Sequence, residues 1–162
     1  MPLSNFERMI QLAEDIFATK SDPGQLEVNQ EVLERLHKLH PATVSEFDDG
    51  NGPVAWVLLI PTTMELMNLF LEQRISEREL FELTPLDLSY EAIYLCSAIV
   101  LHEYRRKGIT KRLALEAIEN IRKDHPIQSL FVWAFTFEGE QASETIARLT
   151  SLPLYKRKEV KE

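Results

Sequence analysis

The chain has 162 residues, of which 44% are hydrophobic and 27% are charged, and its formal net charge at pH 7 is −8. These values are typical of a single globular domain, and the acidic balance disfavours a nucleic-acid partner, which is bound through Lys and Arg. No apolar run approaches the roughly 20 residues that a membrane-spanning helix needs, so no membrane partner is expected. A single cysteine, Cys96, excludes an internal disulfide. With no secretory signal pattern at the start, a cytoplasmic location is expected.

A helix pair and a β-hairpin are predicted first along the chain. Apolar residues recur at helical spacing in residues 1–40, and His40-Pro41 stops the second helix. Residues 42–61 contain two strand-like runs around a turn rich in Asp, Asn and Gly, which tolerate positive φ. The second run is almost entirely apolar, which predicts a central strand buried on both faces.

A helical insert is predicted over residues 62–84. Met64, Met67 and Leu71 share one helical face, which indicates a first short helix. Residues 76–79 read Ser-Glu-Arg-Glu, a capping-box pattern that predicts the start of a second short helix.

Residues 90–137 are predicted to form a strand, a loop, a helix and a strand. The strands cover 91–101 and 130–137, both strongly apolar, and the helix covers 108–124. This order is typical of a parallel crossover unit.

A last helix and a tail are predicted over residues 138–162. Ala142, Ile146 and Leu149 mark the buried stripe of that helix, and residues 154–155 would begin a short final strand. The whole chain, 1–162, is therefore expected to be one α/β domain with a mixed sheet.

The segment 105–112 carries the strongest functional signal, because five basic residues and no acidic ones crowd the start of a predicted helix. Basic side chains there oppose the helix dipole unless an anion binds, and a helix start also offers unpaired N–H groups to phosphates. Removing these five from the 18 basic residues leaves 13 against 26 acidic ones, a net charge of −13. Positive charge focused in this way suits a small polyanion.

The run Arg-Arg-Lys-Gly-Ile-Thr at 105–110, between a long strand and a helix, resembles the acyl-CoA loop of the GNAT superfamily of N-acetyltransferases. The family pattern is Gln/Arg-x-x-Gly-x-Gly/Ala, and Thr110 departs from its last small residue. The resemblance covers about residues 90–150 and is compatible over 42–61. It implies the GNAT acyltransferase fold, with the family's first and last strands reduced or missing in this chain.

The resemblance implies acetyl-CoA or coenzyme A as the co-substrate. Amide groups of residues 106–111 would bind the pyrophosphate, and the backbone of Ile99 and Leu101 would pair with the pantetheine arm. Basic side chains of the loop would add charge-assisted contacts to phosphates. The implied cofactor-binding residues are Ile99, Val100, Leu101, Arg105, Arg106, Lys107, Gly108, Ile109, Thr110 and Lys111.

The catalytic residues are less well defined by the resemblance. Glu91, at the start of the long strand, is a candidate base, and Glu138 and Glu140 are equal candidates on position. The family's usual acid is a tyrosine on the last helix, and this chain has Thr150 at the aligned position. Tyr155 would serve instead if the chain turns back toward the site.

Three functions are compatible with this pattern. The first is an N-acetyltransferase in which a small-molecule or protein amine attacks acetyl-CoA directly in a ternary complex. The second is a non-catalytic acyl-CoA-binding module, and the third is an interaction domain whose basic loop binds an acidic partner.

No metal-ligand spacing occurs among the four histidines. A missing last strand would leave a sheet edge open, which would allow a homodimer.

Overall fold

The computed structural model describes residues 3–20, 30–133 and 137–158. Within these residues the fold has six α-helices and a five-stranded mixed sheet. In this part of the chain, no helix has the length and apolar character required to traverse a bilayer. The helices are α1 (Asn5–Lys20), α2 (Gln30–Leu39), α3 (Met64–Leu71), α4 (Glu77–Leu83), α5 (Ile109–Asp124) and α6 (Phe137–Thr150). The strands are β1 (Val44–Asp48), β2 (Pro53–Thr62), β3 (Ala92–Val100), β4 (Ser129–Val132) and β5 (Leu154–Lys156).

The strands lie in the sheet in chain order, β1-β2-β3-β4-β5. The pairs β1–β2 and β2–β3 are antiparallel, while β3–β4 and β4–β5 are parallel. The predicted hairpin and the predicted parallel crossover through α5 are therefore confirmed. β2 lies between two strands and is buried along nearly its whole length, as its apolar sequence predicts.

Two groups of apolar side chains hold the helices on the sheet. In the larger core, the Phe70 ring of α3 packs edge-on against Tyr94 at 5.0 Å and Phe131 at 5.8 Å between ring centroids. The smaller core is formed by four buried side chains that pack together: Met9 of α1, Val54, Ile99 and Leu101. α1 therefore packs where β3 ends and the basic loop begins.

The strand predicted over 130–137 is shorter than its apolar sequence indicates. β4 ends at Val132, and Phe137 already belongs to α6, while residues 134–136 lie outside the described part of the chain. Periodicity does not separate a short apolar strand from a buried helix start, which is why the sequence placed this boundary wrongly.

The buried stripe predicted for the last helix is also wrong in part. Ala142 is exposed and the Leu149 side chain is 54% exposed, whereas Ser143 and Thr150 are buried beside Ile146. The hydroxyl groups of Ser143 and Thr150 donate to carbonyls one turn earlier in α6. Because their polar atoms are satisfied locally, these small residues can face the interior where α6 contacts α5.

The start of α4 contains the predicted capping box. Ser76 Oγ accepts from the Glu79 N–H at 3.1 Å, and Glu79 Oε1 accepts from the Ser76 N–H at 3.1 Å.

We expect Ser76→Ala to lower the free energy of unfolding by about 1 kcal/mol, because an N–H of the first turn loses its acceptor. Urea denaturation measures the change. Ser89→Ala, at an exposed position outside helices and strands, is the control, and equal stabilities of the two variants would contradict the expectation.

Candidate functional site

β3 and β4 pair over only part of the length of β3. Within the described residues, the parallel ladder joins 92–95 to 129–132 and ends at Leu95 and Val132. β3 continues to Val100, and beyond Leu95 it is paired on its other side with β2. We call residues 97–100 the open edge of β3.

A β-bulge lies where this ladder ends. Leu58 of β2 partners Ser97, while the next residue, Leu59, partners Leu95, so Cys96 is an extra residue in β3. A bulge bends its strand and increases the local twist. The bulge therefore directs β3 away from β4 at the position where their pairing stops.

One hydrogen bond decides which backbone groups face the open edge. The Leu101 N–H donates to the Val54 carbonyl of β2 at 2.9 Å. Because antiparallel hydrogen bonding alternates along a strand, the Ile99 N–H also points toward β2, and those of Ala98 and Val100 point away from it. The N–H groups that face the open edge are therefore those of Ala98 and Val100, whereas the N–H groups of Ile99 and Leu101 are directed to β2.

The loop after β3 presents a row of backbone N–H groups. Arg106 and Gly108 have φ values of 64° and 72°, and Gly108 is the N-cap residue of α5. The N–H groups of residues 106–111 have no acceptor among the residues that the structure describes. Ile109 buries its side chain, so it can offer a ligand only its backbone, whereas Thr110 is half-buried.

The cations of this loop have no carboxylate partner in the described part of the chain. No Asp or Glu oxygen lies within 4.0 Å of them, although Lys107 Nζ is 5.3 Å above the centre of the Tyr104 ring. All five side chains are exposed: Arg105, Arg106, Lys107, Lys111 and Arg112. Their charge is therefore available to an anion bound at the N–H groups.

Side chains from α1 and from the hairpin turn hold the start of the loop. The Tyr104 hydroxyl donates to the carboxylate of Asp49, which also accepts from Asn5 Nδ2 at 3.1 Å. Arg8 Nη2 donates to Glu103 Oε1 at 2.6 Å. The hydrogen bond from Arg8 lowers the pKa of Glu103 to about 2, and the hydrogen bond from Tyr104 lowers the pKa of Asp49. These contacts join the start of the loop to α1 and to the hairpin turn.

A buried polar pair that the sequence did not predict lies beside the end of the β3–β4 ladder. The hydroxyl of Tyr94, a side chain 1% exposed, donates to Glu77 Oε2 at 2.5 Å, and Glu77 is 5% exposed. Burial, followed by the nearby charge of Glu77, holds the pKa of Tyr94 well above its usual range. The capping box indicated that Glu77 begins a helix, but no sequence signal links it to Tyr94.

The candidate catalytic residues are not gathered at one point. Glu91 precedes β3, five residues from Cys96, a separation of about 16 Å along a strand. Thr150 is buried in α6, and Tyr155, on the edge strand β5, is 44% exposed. Glu140 Oε1 accepts from Lys156 Nζ at 2.7 Å. The side chain of Glu138 lies outside the described part of the structure.

A concave region lies at the far end of α5, away from the basic loop. A cavity of about 340 Å³ is lined there by residues that include His40, Asn120 and Asp124. Both nitrogens of His40 are engaged, Nδ1 by the Ala42 N–H at 3.0 Å and Nε2 by Asp124 Oδ2 at 2.6 Å. Among the described residues, no group of three or more His, Cys, Asp or Glu side chains is placed to hold a metal ion. We interpret this region as a structural contact between α5 and the turn after α2.

Comparison with known proteins adds no family. No protein-family model, no curated protein and no solved structure matches the chain. The function must therefore be argued from the open edge of β3 and the basic loop.

The ion pair that anchors the loop predicts a pH dependence. We expect the Glu103 carboxyl to titrate at about 2 instead of its ordinary 4.5, so its contribution to stability is present above pH 4.5 and is lost as the pH falls through about 2. NMR titration of the side-chain carboxyl measures the midpoint. Arg8→Gln should return the midpoint toward 4.5, while Arg148→Gln on α6 should leave it unchanged. A midpoint near 4.5 in the unaltered protein would refute this account of the anchor.

Proposed function

We propose that the protein is an acetyl-CoA-dependent N-acetyltransferase with a GNAT-like fold, acting on a primary amine. One observation carries the proposal: the open edge of β3 leads directly into a loop with six N–H groups that have no acceptor among the described residues. An acyl-CoA has the same order of parts, a linear amide-containing arm followed by a pyrophosphate. The five-stranded mixed sheet and its strand–loop–helix–strand unit are compatible with the fold that the loop sequence resembles.

The pyrophosphate would lie at the start of α5. The N–H groups of residues 106–111 would donate to its oxygens, where the helix dipole also favours negative charge. Arg105, Arg106, Lys107 and Lys111 would add charge-assisted hydrogen bonds from the exposed side of the loop. Binding an anion there would remove the repulsion among these cations, which is why we take the loop as the cofactor site.

The pantetheine arm would run along the open edge of β3. Its amide groups would pair with Ala98 and Val100 in the manner of an added strand. The four residues from Val100 back to Cys96 span about 13 Å. The thioester would then arrive near the bulge, beside the end of the β3–β4 ladder.

The reaction would proceed by direct attack. The amine nitrogen adds to the thioester carbonyl carbon, the carbon–sulfur bond breaks, and the thiolate leaves as coenzyme A. The amine attacks in its neutral form after its ammonium group has lost a proton to solvent, and the proton left on nitrogen after the addition also passes to solvent. The Ala98 N–H, at the open edge, is our candidate donor to the developing oxyanion.

The positions of the acid and base candidates favour solvent as the proton carrier. Glu91 lies at the opposite end of β3 from the loop, so direct proton transfer from an amine at the bulge is not supported by its position. Tyr155 lies on the edge strand β5, which is two strands, or about 10 Å, from β3 in the sheet. A solvent proton would suffice for a leaving thiolate, and Tyr155 remains the side chain to test as acid.

A non-catalytic acyl-CoA-binding module is the second candidate. Thr150 stands where the family has its acid, and its hydroxyl is bonded to the carbonyls of Ile146 and Ala147 at 2.9 and 3.1 Å. A residue engaged in this way cannot protonate a leaving thiolate. Turnover with acetyl-CoA and a panel of amines distinguishes this candidate from the enzyme.

Binding of coenzyme A tests the site itself. We expect Arg105→Glu with Arg106→Glu to weaken coenzyme A by about tenfold or more in calorimetry, because charge-assisted contacts become repulsive. The matched control is Lys38→Glu with Lys123→Glu, which changes the net charge equally at exposed sites on α2 and at the far end of α5. A second variant, Gly108→Trp, strains a position with φ of 72° and covers the N–H groups.

Two outcomes would contradict the proposed site. One is absence of binding by the unaltered protein at millimolar coenzyme A. The other is equal weakening by the loop variant and by its matched control, which would show that net charge alone determines the affinity.

A further inference from the structure

The side chain of Arg157, which directly follows β5, contacts two aromatic rings that are nearly perpendicular to one another. Its guanidinium carbon lies 4.4 Å from the centre of the Phe70 ring and 4.7 Å from the centre of the Trp133 ring. Arg157 Nη1 donates to the Ile75 carbonyl at 2.9 Å. Two aromatic faces and a carbonyl acceptor together match a planar cation with several donors.

A carboxylate lies in the same neighbourhood. The Tyr94 ring packs on Phe70 and its hydroxyl donates to Glu77, so a continuous series of contacts joins Arg157 to this carboxylate. We call the group Phe70, Trp133 and Glu77 the cation cage. Its parts come from α3, from the residue after β4 and from the start of α4.

The cation cage is adjacent to the place where the proposed thioester would arrive. Trp133 follows Val132, which is paired with Leu95 at the last step of the β3–β4 ladder, one residue before the bulge. The Tyr94 ring that backs the cage belongs to the same strand as the open edge. A ligand held in the cage by one end would therefore present its other end near the bulge.

The segment that brings Arg157 into the cage consists of the edge strand β5 and the residues that follow it. β5 has three residues and pairs with β4 at three positions. The Arg157 N–H donates to the Val132 carbonyl at 2.9 Å, and Gln73 Nε2 donates to the Lys158 carbonyl at 2.7 Å. Lys156 forms ion pairs with Glu140 and Glu144, but such pairs at an exposed surface contribute little. Displacing β5 and the residues after it would leave the other three strand pairings, β1–β2, β2–β3 and β3–β4, intact.

We propose that the cation cage is a binding site for the guanidinium group of a ligand, and that Arg157 occupies it as an internal substitute until the ligand displaces the segment after β5. The inference rests on the proposed function, because it names the acceptor class: a molecule with a guanidinium group at one end and a primary amine at the other. Such an acceptor is either a small molecule that carries both groups or an arginine-containing peptide with a free amine.

Calorimetry without acetyl-CoA tests the cage directly. The probes are agmatine, its ureido analogue of the same shape without the guanidinium charge, and the peptide Gly-Arg-Gly-amide with a free amino terminus. We expect Arg157→Ala to bind agmatine about tenfold or more tightly than the unaltered protein, because the ligand no longer competes with an internal occupant. Glu77→Gln in the same background should cancel the gain. Arg148→Ala, at an exposed arginine of α6, is the matched control and should keep the unaltered affinity.

Arg157→Gln provides a second variant that keeps most of the side-chain length. If both variants fold and neither binds agmatine better than Arg148→Ala, the proposal is overturned. Equal binding of the ureido analogue would overturn it as well, because the cage would then not select a cation. If neither variant folds, Arg157 is a fixed part of the core and cannot be displaced, which also overturns it.

The probes distinguish the source of the guanidinium, and the design separates this inference from the proposed function. If Arg157→Ala binds agmatine more tightly, the result supports a small-molecule acceptor. If it binds the peptide more tightly, the result supports a protein acceptor. Either result supports the cage. Gain of agmatine binding in Arg157→Ala without any coenzyme A binding would refute the acetyltransferase and keep the cage. Coenzyme A binding without that gain would refute the cage and keep the acetyltransferase.

Discussion

Within the described residues, the parallel pairing of β3 with β4 ends after four residue pairs, at the position where Cys96 is inserted as a bulge against β2. Backbone groups inside a sheet normally satisfy one another, so a strand that continues without a partner on one side offers a row of donors and acceptors to something else. The open edge, the loop after it and the cation cage beside it all depend on this separation. A strand paired with β3 at the open edge would occupy the proposed site of the pantetheine arm and would cover the cation cage.

Side-chain contacts connect the start of the basic loop to the rest of the fold. Hydrogen bonds from Tyr104 to Asp49 and from Arg8 to Glu103 join it to the hairpin turn and to α1. Five cations follow within eight residues, in a chain whose remaining charge is −13. Such an arrangement is costly without a ligand, and a bound polyanion would relieve it. A site that is organised before binding also loses less entropy when the ligand arrives.

Much of this fold follows from local sequence patterns, whereas the site depends partly on distant contacts. The hairpin, the capping box at Ser76 and the crossover through α5 each have a short-range signal, and each is found in the structure. The direction of the N–H groups at Ile99 depends on one hydrogen bond from Leu101 to β2, which no local pattern reports. The stacking of Arg157 on Phe70 joins residues 87 positions apart in sequence, and only the folded sheet brings them together.

The most direct test of this account is amide hydrogen exchange, read by NMR, with and without saturating coenzyme A. We expect the amides of Ala98 and Val100 to become protected on binding, together with those of residues 106–111, because these N–H groups gain acceptors from the ligand. The amides of Ile99 and Leu101, already directed to β2, should change little. Unchanged exchange at Ala98, Val100 and 106–111 under saturating ligand would contradict the central claim that the open edge and the loop form one acyl-CoA site.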